Sequence, residues 1–160
     1  MSENKGYDYS DLAAALVEAI STLSDGNPLI ESNSNGEQPE YPFCTYSIIN
    51  PYIGITFDVV QNEPFEAVVS LTWYDDSAIN VLNLANRTNK WFRSFAGRDF
   101  LFQKNIIVVD VKMDGQRDDF ISIEYERKAG LDIRLRLNDS FIDEVGSIDE
   151  FSINNENEEE

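Results

Sequence analysis

The sequence predicts an α+β domain, a mainly antiparallel β-sheet with two α-helices packed against it. Three observations carry that prediction. Phe65, Ala67, Val69, Leu71 and Trp73 alternate with Glu66, Ser70 and Thr72, the period of a strand with one buried face. Two other stretches, beginning near residues 10 and 77, repeat apolar residues at helical spacing. Residues 119–127 and 131–137 are two apolar strand-like runs separated by three residues, the layout of an antiparallel hairpin.

Taken in order, residues 1–7 read as a loose arm and residues 8–153 as one domain. Asp8 or Ser10 can cap a helix reaching Leu23, with Leu12, Leu16, Ile20 and Leu23 on one face and Asp11 in the first turn, where the helix dipole favours an acid. Asp25-Gly-Asn-Pro28 stops that helix, with Gly26 just past its end and Pro28 behind. Leu29-Ile30 forms a short extended piece, and residues 32–38 are a polar loop. A strand over 41–49 places Tyr41, Phe43, Thr45, Ser47 and Ile49 on one side and Cys44, Tyr46 and Ile48 on the other. Pro42 sits at its edge, and Asn50-Pro51 is expected to break it before another short strand over 53–60.

After the 65–73 strand, Asp75-Asp-Ser77 caps a second helix over 77–95. Its apolar stripe is Ala78, Val81, Leu82, Ala85, Phe92 and Phe95, and Gly97 reads as its natural end. Residues 106–113 form a strand followed by a turn at Asp114-Gly115. In the last hairpin, Ile121, Ile123 and Tyr125 share one face, and Leu131, Ile133, Leu135 and Leu137 share one on the other strand. Matching apolar to apolar requires an odd loop, Lys128-Ala-Gly130, because a one-residue slip swaps faces. That register sets Ile123 opposite Leu135 and Glu124 opposite Arg134. Phe141, Ile142, Val145 and Phe151 are apolar enough to pack against the domain until about residue 153.

Composition bounds the function. The net charge is −18, distributed unevenly: residues 138–160 hold nine acids and no base, which reads as a solvated acidic extension with a disordered tail over 154–160. Deleting that tail is expected to leave folding intact. Sequence-specific DNA binding needs clustered Lys and Arg to displace counterions, and no such run is present. No apolar run reaches the roughly 20 residues that cross a bilayer, and the N-terminus lacks the layout of a secretory signal. A lone Cys44 forms no internal disulfide, so the expected home is cytoplasmic.

Catalysis finds little support. The chain has no histidine, which removes the commonest general base and metal ligand. Cys44 reads as a structural thiol, Asp75-Asp76 as a helix cap, and Asp114–Asp119 as a turn that lacks the alternating acids of a calcium loop. No catalytic, cofactor-binding or metal-binding residue is therefore assigned, and no cofactor is expected. The one positive cluster is Arg87, Lys90, Arg93 and Arg98. With Phe100 and Phe102 it forms a candidate subunit interface, able to meet an acidic patch on a neighbouring copy.

The run Pro39-Glu-Tyr-Pro-Phe-Cys-Thr-Tyr-Ser-Ile-Ile49 and the element order around it, loosely over residues 8–137, resemble the neck or tail terminator proteins of tailed bacteriophages. The resemblance implies a small α+β virion subunit that assembles with itself into a ring, often a hexamer. Such a ring caps the tail tube and joins it to the head-side connector proteins after assembly in the host cytoplasm. DNA would pass through without sequence-specific binding, and an acid-rich lumen would repel its phosphates. The acidic extension has no counterpart in that pattern. An alternative reading is a small acidic binding protein that mimics nucleic acid or inhibits a host factor.

Overall fold

In the computed structural model, residues 5–116 and 126–143 are described. Asp8 is the first helix cap: its carboxylate accepts from the Ser10 backbone N–H at 3.0 Å and the Ser10 hydroxyl at 2.7 Å. Helix α1 runs Tyr9–Leu23 and buries Leu12, Ala15, Leu16, Ala19, Ile20 and Leu23. The chain leaves it through Asp25 and Gly26, both at positive φ, and the +102° at Gly26 is the left-handed conformation that suits glycine. Strand β1, Leu29–Glu31, then lies parallel beside β2, Phe43–Gly54, with Leu29 opposite Cys44.

Strand β2 does not end at Asn50-Pro51. It continues to Gly54 through two register shifts against β3, Pro64–Asp75. β1 flanks β2 only at Cys44–Tyr46, so the rest of β2 is an edge, where a proline without an N–H and a bulge are tolerated. The strand expected over 53–60 is thus reduced to the last residues of β2, and residues 55–63 form the connection to β3. Tyr41 and Pro42 precede the strand.

Ser77 caps α2, Ala78–Arg93, by accepting from the Asn80 N–H. The helix expected over 77–95 ends at Arg93 and a further helix follows it, so the sheet carries three helices. Ser94 ends α2 and starts α3, Phe95–Phe102: its hydroxyl donates to the Trp91 carbonyl at 2.6 Å and accepts from the Gly97 N–H at 3.1 Å. Gly97 is therefore inside α3 and terminates nothing. A Cβ at residue 97 would lie 2.0 Å from the Trp91 carbonyl oxygen, so this corner admits only glycine. Phe95 leaves the apolar stripe and is 78% exposed, while Val81, Ala85 and Phe92 keep their buried places.

Strand β4, Ile107–Gln116, runs through Asp114-Gly115 with an irregular register in place of the expected turn. Strand β5, Arg127–Asn138, absorbs Lys128-Ala129-Gly130, which face Tyr74, Trp73 and Thr72 of β3. The alternation Ala129, Leu131, Ile133, Leu135, Leu137 simply extends back through the expected loop. Both sides of β5 are occupied: Leu135 faces Ala67 and Val108, and Arg134 faces Val68 and Asp110. The expected pairings with Ile123 and Glu124 are replaced at these two positions. Residues 119–125, including Ile121, Ile123 and Tyr125, lie outside the described residues, as do Val145, Phe151, the 154–160 tail and residues 1–4. Phe141 and Ile142 are 40% and 45% exposed, so neither is buried in the core.

The sheet order is β1-β2-β3-β5-β4, antiparallel except for β1 with β2. One face packs under the helices. Phe65, Ala67, Val69, Leu71 and Trp73 of β3 meet Ala129, Leu131, Ile133, Leu135 and Leu137 of β5, with Cys44 alongside, all buried. On the other face Glu66 lies between two arginines: Arg134 donates to Oε1 through Nε at 3.1 Å and Nη2 at 3.0 Å, and Arg136 Nη2 lies 3.7 Å from Oε2. Tyr41, Phe43 and Tyr74 stack in a row on that face, and the Lys128 ammonium sits over Tyr74. At the N-terminus, Tyr7 packs edge-on against Phe65 and Tyr9, and the Gly6 carbonyl accepts from the Ser140 hydroxyl.

Candidate functional site

Strand β4 lies at one edge of the sheet, opposite β1, and α3 runs beside it. Between them lies a groove of about 310 Å³. From α3 come Phe95, Arg98, Asp99 and Phe102; Ile106, Ile107 and Val108 form the other side. The tight return from α3 explains the shape, since the Ile106 N–H bonds the Leu101 carbonyl at 3.0 Å and brings the strand directly under the helix. Ile106 is buried as the floor, whereas Phe102 is 62% exposed and Ile107 is also open to solvent. The groove is apolar with one cation and one acid at its rim.

The six interface candidates divide in space. Arg98 and Phe102 line the groove. Phe100 turns the other way, packing on Trp91 at 5.5 Å with the Lys104 ammonium 5.1 Å above its ring. Lys104 also pairs with Glu18 at 2.7 Å. Arg87 reaches across to Asp25 at 3.2 Å, tying α2 to the end of α1. Lys90 and Arg93 are exposed on α2. Sequence reasoning missed Phe95 and Ile107. Ser94, a good N-cap between two helical runs, was the available signal that Phe95 opens a new helix.

A second apolar feature lies where a strand over 53–60 is expected from the sequence. The β2–β3 connection carries Ile55, Phe57, Val59 and Val60, all exposed, with Phe57 fully so at 102%. It is nevertheless an ordered loop. The Glu63 carboxylate accepts from the Tyr52 hydroxyl at 2.7 Å, the Val60 N–H at 3.3 Å and the Thr56 hydroxyl at 3.5 Å. The Glu63 carbonyl in turn accepts from the Asp139 N–H. Tyr52 stacks on Phe65 at 4.4 Å, anchoring the loop base to the core.

Chemistry elsewhere is spare. Cys44 is fully buried, and burial pushes its thiol well above the ordinary range. Burial also raises the Asp75 carboxyl, with neighbouring Asp76 adding to the effect. Among the described residues no three His, Cys, Asp or Glu side chains are grouped to hold a metal ion, and no helix is long and apolar enough to cross a membrane. Among the described residues, two separate apolar surfaces stand out instead, the α3–β4 groove and the 55–60 loop.

A comparison with curated proteins finds no match. Residues 10–160, from the first turn of α1 through every strand of the sheet, match the family described as phage neck terminator protein, so the chain belongs to that family and is a structural component of the phage neck.

Proposed function

We propose that this protein closes into a ring, a hexamer in the arrangement its family resemblance implies, at the head-proximal end of the tail. There it terminates the tail tube and joins it to the head-side connector proteins. Membership of the neck terminator family supports the location. The observation that carries self-assembly is the outer edge of β4, with which no other described strand pairs and along which Ile107, Val109 and Met113 are exposed. An apolar strand edge of this length invites pairing or coverage by another chain. The contact surface includes Arg98 and Phe102 in the groove, bordered by Arg87, Lys90 and Arg93 on α2, while Phe100 supports it from behind. The role is structural and non-enzymatic. A net charge of −18 suits a wall past which DNA slides, since acid-lined surfaces repel phosphates.

The test is solution mass by light scattering from micromolar concentration upward, with and without purified tail tubes, followed by electron microscopy of the tube ends. A discrete closed oligomer, free or seated on the tube end, is the expected result. A chain that stays monomeric throughout and leaves tube ends bare would overturn the proposal.

A further inference from the structure

The exposed loop and the groove lie at the same end of the sheet. Phe65, where the 55–63 connection enters β3, faces Leu137, and Ile107, where β4 begins, faces Arg136 on the same strand. The loop belongs to β2 and β3, the groove to β4. They sit on opposite flanks of the β3–β5 pair, with β2 and β4 roughly 14 Å apart at about 4.8 Å per strand. The two surfaces are different, so a contact between them is head-to-tail and can propagate around a ring.

Charge says which molecule would fill the groove. Residues 78–105 hold five bases (Arg87, Lys90, Arg93, Arg98, Lys104) and one acid, Asp99, in a chain whose net charge is −18. The α2–α3 surface is thus where another copy of this acidic chain can approach with least repulsion. The loop has the complementary sign: residues 50–64 contain Asp58 and Glu63 and no base. Its apolar tip is held by the Glu63 carboxylate, so little conformational freedom is lost on docking. Phe57 does not occupy the groove of its own chain, being fully exposed.

Resting on the ring reading, we propose that the tip Ile55–Val60 of one copy seats Phe57 in the α3–β4 groove of its neighbour, against Phe95, Phe102 and Ile107, with Asp58 beside Arg98. A groove of about 310 Å³ is at the small end for ligand pockets, which run to about 1,000 Å³, and suits a single aromatic side chain. The contact buries the most exposed aromatic of the described residues and covers the start of the open β4 edge.

The experiment is cysteine cross-linking with a short bis-maleimide under ring-forming conditions, on tail tubes if the free protein does not assemble. Cys44 is buried, and the unsubstituted chain serves as its control. A chain carrying both Phe57→Cys and Ile107→Cys should give a ladder ending at the ring size. An equal mixture of the two single variants should give dimers and nothing larger. Homodimers of F57C alone, coupling of F57C to the tube protein, or no coupling within assembled rings would each overturn the inference. As an independent measure, Phe57→Asp should weaken self-association about thirtyfold, the loss expected of a central aromatic anchor, with an unchanged circular dichroism spectrum. Rings forming at the wild-type concentration from F57D would remove this contact while leaving the ring itself standing. Wild-type protein that never assembles, alone or on tubes, would remove both.

Discussion

Trp73 offers the sharpest test of how the core is built. Its indole is fully buried near the C-terminal end of β3, and its Nε1–H donates to the Thr88 hydroxyl at 2.8 Å. That hydroxyl donates onward to the Leu84 carbonyl at 2.8 Å, so one short chain of hydrogen bonds joins the sheet to α2. Trp73→Ala removes the largest fully buried side chain and should cost about 3–5 kcal/mol. At about 2–4 °C per kcal/mol for a chain of this size, the melting temperature should fall by about 6–20 °C. Thr88→Val keeps the volume but leaves the indole N–H without an acceptor, which should cost about 1–3 kcal/mol. In a Trp73→Phe background that orphan no longer exists, so the same Thr88→Val change should cost much less. The double-mutant cycle W73F/T88V should therefore show a coupling of about 1–2 kcal/mol. Urea unfolding, run below the concentration of self-association, measures all four corners. A cost under about 1 kcal/mol for W73A would place the indole outside the core. Additivity within about 0.5 kcal/mol would show that the hydrogen bond does not join the sheet to the helix.

Gly97→Ala drives a Cβ into the Trp91 carbonyl and should destabilise by about 3 kcal/mol or more, whereas Gly36→Ala, whose Cβ would meet the Ser34 hydroxyl oxygen at an ordinary 3.4 Å, should stay within about 0.5 kcal/mol in the same thermal assay. Burial, with Asp11 adding, pushes the Tyr7 phenol from its ordinary value near 10 up to about 12. Above pH 10 the unfolded chain releases this proton while the folded chain keeps it, so stability present below pH 10 is lost as pH rises toward 12. Tyr7→Phe should flatten part of that decline when urea midpoints are compared from pH 9 to 12; an unchanged slope would assign the loss to other groups. Asp8→Ala should cost about 1 kcal/mol by removing the cap of α1, read as a lower melting temperature, and Asp8→Asn should restore most of it.

Local pattern determined the α+β class, the extent and buried face of α1, the whole of β3 and the cap at Ser77. In each, the stabilising partners are near in sequence or repeat with the period of the element: Asp8 with Ser10, Ser77 with Asn80, every second residue from Phe65 to Trp73. The absence of histidine and the acid excess were equally plain and directed attention to assembly. Tertiary structure decided the rest, wherever a glycine or proline signal competed with long-range pairing. Gly130 and Gly115 looked like turns because glycine weakens a strand in isolation; in the fold each lies within a strand paired to a neighbour. Gly97 looked like a helix end because the only reason for it is a backbone oxygen six residues back, brought close by the α2–α3 corner. Asn50-Pro51 looked like a break, and became a bulge because no described strand pairs with the outer side of that stretch of β2. The candidate interface followed the same division: its basic residues were visible as a run, but the groove that gathers Arg98 and Phe102 with Phe95 and Ile107 exists only once β4 folds back beneath α3.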